Sequence, residues 1–399
     1  MKVLIWDKDI PLRNTGGPSG YLYNIHNYLT SHPNKEIDFY SDLKDDKREN
    51  NVSKEFGKKS FTEYLLSQRF LKFVYYLYAT YYKKTEIERE DVELLDKYDY
   101  VHVHTFTQYM MLFSNNSNLR CKVILTTHCP EPCFDEICGN FQYGCFFKLL
   151  PMLRNFFIRK ECLEIKKADF VLLPVKEATD AYTSASKYYL ELFNEIHKKL
   201  IFVPTAIYPS EKVLTKEDPT NVVSIDDDTL RICFIGRHNK IKGYDQLKII
   251  AKEVESRGIN AHFFVGGKES PLKGLKSSCW TELGWVNTME VLNNVDVFIL
   301  PNKQTYFDLI LVEVLRQGNV CIISRTGGNK WFEQFDNTGI FLYDYGDFEK
   351  MIELINFIIS IKKEKKLSLL EKNNRKVFED HLVMNKYVEA YCHILNSLK

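Results

Sequence analysis

No stretch of this 399-residue chain offers the ~20 uncharged apolar residues that a membrane-spanning helix requires. The opening MKVLIWD passes directly into polar sequence, without the apolar core of a secretion signal. A cytoplasmic location is therefore expected. An excess of charge of one sign is lacking too: 54 Lys and Arg stand against 53 Asp and Glu, a net charge of +1. That balance provides no electrostatic footprint for nucleic acid. CxxC pairs are also missing. Ten cysteines without a secretion signal imply free thiols. The group Cys129, Cys133, Cys138 and Cys145 beside His128 matches no standard zinc or iron–sulfur spacing, so no metal is expected.

What is present reads as a soluble globular protein, 45% hydrophobic and 27% charged. Its length fits two cores of roughly 200 residues each. Short β-branched or aromatic runs alternate with longer amphipathic ones, the pattern of parallel sheets covered by helices. The first half offers strands at 2–7, 36–41, 100–104, 122–128, 169–174 and 200–205; the second at 230–237, 260–267, 280–286, 296–301, 320–324 and 339–343. Two sets of six predict an α/β chain with two Rossmann-like sheets. Segment 206–229, rich in proline and charge, reads as a linker. The expected division is 1–207, 208–380 and a terminal helix over 381–399.

Three stretches at strand ends suit an anionic ligand. After the first strand, Gly16 and Gly17 precede Pro18 and Ser19, which fit a helix start; this loop is not GxGxxG, and a plain flexible loop fits it equally. In FIGRHNKIKGYDQL, Gly236 ends a strand, and Arg237 and Lys242 pair a bidentate fork with a point charge, suited to a diphosphate. In PNKQTYFDLILVEVLRQG, a helix starting near Tyr306 would aim the amides of Phe307, Asp308 and Leu309 at an anion. Glu313, about two turns further, could accept both hydroxyls of a ribose or pair with a neighbouring cation.

Taken in order, the Gly16–Gly17 loop, TTH ending at His128, ADFVLLP, FVPTAI, GRHNKIKGYDQL, FVGG, LGWV, DVFILP, Glu313 with Gly318, and SRTGG resemble the retaining GT-B glycosyltransferases of the family four group, which includes bacterial cell-surface sugar transferases. The resemblance implies two Rossmann-like domains facing across a cleft, with the C-terminal helix returning to the first. It implies that Arg237 and Lys242 meet the donor diphosphate, with Gly236 in their loop. Glu313 would hold the ribose, and the LGWV turn, with Trp285 and Val286, the base. Gly16 and Gly17 would approach from the opposite domain, and His128 would line the sugar site. One departure stands out. Relatives carry an acid eight residues before Glu313, where this chain has Thr305; Asp308 could restore a carboxylate nearby or cap its own helix.

The implied reaction moves a sugar, with retention, from a nucleotide-diphosphate sugar to a glycan or lipid-linked acceptor in surface polysaccharide synthesis. A uridine diphosphate donor is expected. The donor's own phosphate oxygen would take the acceptor proton, so the protein chiefly stabilises charge on the leaving diphosphate. No acidic pair of the DxD type stands at a strand end, so neither metal nor other cofactor is expected. Segments 65–84 and 141–167 interleave aromatic residues with Lys and Arg, which fits peripheral contact with the inner membrane face or simply a buried aromatic stripe. A non-hydrolysing sugar-nucleotide epimerase and a degenerate sugar-nucleotide-binding protein are the alternatives; Thr305 is the best support for the latter.

Overall fold

The computed structural model describes residues 1–7, 17–43, 69–114, 119–141, 143, 150–209 and 225–398. Gly16 and Cys145 lie outside them, as do most of the 206–229 segment and parts of 65–84 and 141–167. Two compact units form: Met1–Leu173 with Tyr182–Val203 and Glu389–Lys399, and Pro174–Ala181 with Pro204–Val388.

Each unit holds one six-stranded sheet, parallel throughout. The first has β1 (Val3–Trp6), β2 (Ile37–Phe39), β3 (Tyr100–Val103), β4 (Lys122–Leu125), β5 (Phe170–Leu173) and β6 (Leu200–Phe202), ordered β2-β1-β3-β4-β5-β6. The second has β7 (Leu230–Ile235), β8 (Ala261–Gly266), β9 (Trp280–Gly284), β10 (Val297–Leu300), β11 (Val320–Ser324) and β12 (Ile340–Tyr343), ordered β12-β11-β10-β7-β8-β9. All twelve strands coincide with sequence-predicted runs. Central strands such as VLIW and VFIL are buried at every position, because helices cover both faces of a parallel sheet and leave no side for polar residues.

Strand order reverses between β1 and β3 in the first sheet and between β7 and β10 in the second. At such a point the connections leave in opposite directions and open a crevice at the carboxyl ends of the strands, where α/β sheets bind ligands. In the second unit the two loops flanking that crevice are locked together. Gly243, with φ +65°, precedes the helix Tyr244–Ser256. A Cβ there would lie 1.6 Å from the Pro301 carbonyl oxygen. Only glycine permits this approach. The Lys303 amide donates to the Ile241 carbonyl at 2.9 Å, closing the same seam.

In the first unit the part of the last helix (Met384–Ser397) from Glu389 onward is tied to β3 by a buried polar chain. His102 lies 2.9 Å from both the Tyr391 hydroxyl and Thr126 Oγ1. Thr126 Oγ1 spends its own proton on the Leu172 carbonyl. His102 Nε2–H must then donate to Thr126, and Nδ1 accept from Tyr391, which fixes a neutral tautomer. Burial agrees, pushing the His102 pKa down to about 3.

Two outcomes follow for stability. Gly243→Ala should lower unfolding free energy by on the order of 3 kcal/mol in urea titration, whereas Gly258→Ala, at φ +61° but in open space, should cost only about 1 kcal/mol. A histidine whose pKa is depressed on folding favours the folded state fully above its unfolded value near 6.5 and loses that contribution as pH falls toward the folded value. His102 alone should therefore remove about 1 kcal/mol of stability between pH 6.5 and 5.5. His102→Asn should reduce the proton uptake on unfolding by about half a proton at pH 6.5, rising to about 0.9 at pH 5.5.

Candidate functional site

The crevice of the second unit gathers most of the singled-out residues. Helix Leu309–Gln317 follows the loop after β10, and Asp308 is its N-cap in extended conformation. Its side chain does not cap. Instead Asp308 Oδ1 accepts from Lys242 Nζ at 2.6 Å, and Oδ2 accepts from Asn302 Nδ2. Lys242 and Asp308 are largely shielded, with side chains 18% and 15% exposed, and their pair bridges the loops after β7 and β10. Arg237, five residues before Lys242, is exposed. It makes no side-chain hydrogen bond or ion pair among the described residues.

Two buried oxygens in this loop have no partner among the described residues: Thr305 Oγ1, in a residue 1% exposed, and Asn302 Oδ1, in a residue wholly buried. Buried polar atoms are normally satisfied, so each needs an account. Glycines close the pocket wall behind them. A Cβ on Gly327 would lie 2.1 Å from the Thr305 carbonyl oxygen, and one on Gly328 as close to that of Tyr306. Phe307 is buried and stacks on Phe332 at 5.6 Å, so its side chain is core.

The helix starts at Leu309, later than the expected Tyr306. Its first-turn amides are thus those of Leu309, Ile310 and Leu311 rather than of residues 307 to 309, and the Leu311 amide already donates to the Asp308 carbonyl. Glu313 is the fifth helical residue, a little over one turn in, not two. It is half-buried between fully buried Val312 and Val314. The helix begins only after Asp308, which is extended and spends its carboxylate on Lys242 and Asn302.

Gly236 follows β7 directly, and its carbonyl lies 2.1 Å from where a Gly267 Cβ would be, so the ends of β7 and β8 nearly touch. Trp285 is 83% exposed beyond the edge strand β9. Val286 folds back: its Cγ2 would lie 2.8 Å from a Gly266 Cβ. Sequence reasoning missed His238 and Glu282. His238 is wholly buried, stacked 4.0 Å from Tyr244 with both ring nitrogens unpartnered, and burial lowers its pKa. Glu282 Oε2 stands 4.0 Å away, beyond hydrogen-bond range. Asn302 was missed as well; its only signal is a polar residue directly after the strand-ending proline.

In the first unit, His128 has φ +53°, a left-handed conformation costly for a side-chain-bearing residue and concentrated at functional sites. Its Nε2 lies 3.0 Å from His104 Nδ1. Residues His102 and His104, two apart on β3 and its extension, share one face, and their ring centroids lie 4.0 Å apart with the planes tilted by 38°. Burial holds the pKa of His128 near 3 and that of His104 well below normal. His104 escaped the sequence reading, although the alternation in YVHVH places it. A Cβ on Gly17 would meet nothing within 4 Å. Among the described residues no group of three His, Cys, Asp or Glu could hold a metal ion.

With this geometry in place, comparison with known proteins is informative. Residues 229–360 match the family model for glycosyl transferases group 1. A Klebsiella pneumoniae protein described as an uncharacterized 41.2 kDa protein in the cps region is 22% identical over 309 residues, covering 74% of this chain and 79% of that protein. Among solved structures, sucrose-phosphate synthase from Thermosynechococcus elongatus superposes with TM-score 0.61 at 13% identity, covering 100% and 99% of the two chains. Anabaena HepE in complex with UDP and glucose gives 0.56 at 11%, covering all of both chains. The lipopolysaccharide outer core galactosyltransferase WaaB, in apo form, gives 0.56 at 13%, again over the full length of both. The chain therefore has the GT-B fold, and what residues 229–360 add is a match to the glycosyl transferases group 1 model.

Proposed function

We propose that the protein is a retaining glycosyltransferase that moves a hexosyl group from a UDP-sugar to a glycan or lipid-linked acceptor in the synthesis of bacterial surface polysaccharide. One observation carries this reading. Lys242 and Arg237 follow β7 at the switch point of the second sheet, and the Asp308 that Lys242 pairs with is held by Asn302, in a loop with two buried oxygens, Thr305 Oγ1 and Asn302 Oδ1, that have no partner among the described residues. Cations flanked by vacant acceptors fit a ligand that joins a diphosphate to a hydroxyl-bearing ring. The names of the similar structures, one with UDP and glucose and one a galactosyltransferase, support it, as does the cps-region relative.

In the reaction, Lys242 has three N–H donors and can keep Asp308 while giving one to a phosphate oxygen. Arg237, exposed and unpaired, supplies a bidentate fork to the same group. Both stabilise charge as it gathers on the departing diphosphate, and Asp308 holds the ammonium in place beforehand, so little reorganisation is needed at the barrier. Glu313 accepts the ribose hydroxyls, and the turn bearing Trp285 and Val286 meets the base. Asp308 supplies the carboxylate that Thr305 does not, with its Oδ2 and the Thr305 hydroxyl both directed to sugar hydroxyls. The acceptor oxygen enters on the face the diphosphate leaves, and its proton passes to a phosphate oxygen. No step requires a metal or other cofactor.

Contact with the inner membrane face is part of this proposal. Helices Arg69–Tyr81 and Pro151–Ile165 pack through Tyr81 and Phe157, at 4.8 Å. Their outer sides expose Phe70, Tyr76, Tyr78, Met152 and Phe156 beside Lys72 and Arg159. Lys160 Nζ sits 3.6 Å from the Tyr82 ring centroid. Such a surface suits anionic lipid headgroups.

Release of UDP from UDP-sugars, followed with and without acceptor glycans, tests the chemistry. Lys242→Ala should slow it about a hundredfold, or ~3 kcal/mol of barrier. The reading fails if no sugar nucleotide raises the melting temperature while Arg237→Ala and Glu313→Ala leave all activity intact. For the membrane, co-sedimentation with anionic vesicles should drop when Lys72, Arg159 and Lys160 are changed to Gln; unchanged sedimentation sinks that part.

A further inference from the structure

A cavity of the first unit lies at its switch point, where β1 and β3 end. It measures about 470 Å³, within the ~300–1,000 Å³ range of small-ligand sites. Trp6 and Asp7 border it from the end of β1, Ser19 from the following helix, His104 from the end of β3, and Gln108 and Met111 from the helical turns beyond. Two of these carry buried polar atoms without a partner. Trp6 is 1% exposed and its indole Nε1 has no acceptor; His104 is 3% exposed and its Nε2 has neither donor nor acceptor. Leaving such a group dry costs about 1–3 kcal/mol, and two on one cavity wall point to an occupant that completes them.

The chemistry of that occupant follows from what each atom can do. An indole N–H only donates, so it needs an oxygen acceptor. His104 Nδ1 shares a proton with His128 Nε2 at 3.0 Å, and whichever ring holds that proton decides whether His104 Nε2 is a lone pair or an N–H. A hydroxyl serves both cases, being donor and acceptor at once, and it also satisfies Trp6. A carboxylate or phosphate oxygen cannot donate to a bare Nε2. Among the described lining residues there is no Lys or Arg to meet an anion. Burial keeps His104 uncharged, so it offers no compensating cation.

We propose that this cavity binds a neutral sugar ring of the acceptor, with His104 Nε2 and Trp6 Nε1 on its hydroxyls, and excludes acceptor rings bearing a carboxylate or phosphate. The inference rests on the glycosyltransferase reading for the word acceptor, but the binding it predicts does not depend on turnover. His104 positions a hydroxyl by hydrogen bonding; the proton of reaction still leaves with the donor phosphate.

The test uses the full chain and two kinds of probe. Saturation-transfer NMR with methyl α-glucoside, methyl α-galactoside and methyl α-mannoside should show binding of at least one, and methyl glucuronide and glucose 1-phosphate should bind at least tenfold more weakly. Histidine-labelled protein should show the His104 imidazole resonance move with the neutral glycoside. His104→Phe should weaken that glycoside at least tenfold, with the thermal shift by UDP-sugar retained. If that variant does not fold, Trp6→Phe, which removes only the indole donor, should weaken it at least threefold. Tighter binding of the anionic rings, or an unmoved His104 resonance with saturating glycoside, overturns the proposal. Loss of the UDP-sugar shift in the wild type would overturn the donor reading instead and leave the glycoside result standing.

Discussion

The second unit's site depends on one carboxylate. Asp308 occupies the capping position of its helix yet gives one oxygen to Lys242 in the facing loop and the other to Asn302 in its own. Such a pair is partly withdrawn from water, and at 2.6 Å its geometry is good enough to offset desolvation that a looser pair would not. Through it, the loop after β7 and the loop after β10 act as one wall. The glycine contact at Gly243 and the Lys303 to Ile241 hydrogen bond make the same junction from the backbone side. Removing Asp308 would leave a buried ammonium beside unpartnered oxygens.

That arrangement also explains the polar vacancies around it. The Thr305 backbone is held by the close approach of Gly327, and that of Tyr306 by Gly328, while Asn302 is fixed through its hydrogen bond to Asp308. A rigid wall with unfilled acceptors is preorganised for a ligand and unfavourable without one. The first unit repeats the principle in different chemistry. There, neutral histidines sit side by side along one face of β3 and beyond, with His102 satisfied at both nitrogens and His104 at only one. The satisfied member anchors the terminal helix, and the unsatisfied one faces a cavity.

Much of the architecture was legible in the chain. Every strand was visible as a β-branched or aromatic run, because a strand covered on both faces must be apolar at successive positions and few other elements share that pattern. Arg237, Lys242, Thr305 and Asp308 were legible as candidates because they follow strand ends in a fold that uses strand ends. Less legible was the start of the helix bearing Glu313. Apolar spacing alone extends it back to Tyr306, but Asp308 is drawn into a contact 66 residues away in sequence, and local propensity yields to that pairing. His238, Glu282 and Asn302 carry no periodic or motif signal, since a buried polar residue differs from an exposed one only in what surrounds it.

By itself, then, the sequence determined the two parallel sheets, the elements that compose them and the residues available at their carboxyl ends, because these follow from hydrophobic period and turn chemistry within a few residues. Only the tertiary structure decided which polar atoms are paired and which are vacant. Asp308 as tether rather than cap, Thr305 as a buried hydroxyl without a partner, and His104 beside Trp6 on one cavity all depend on contacts between segments distant along the chain, and hydrogen bonding is a property of distance and angle that no local pattern encodes.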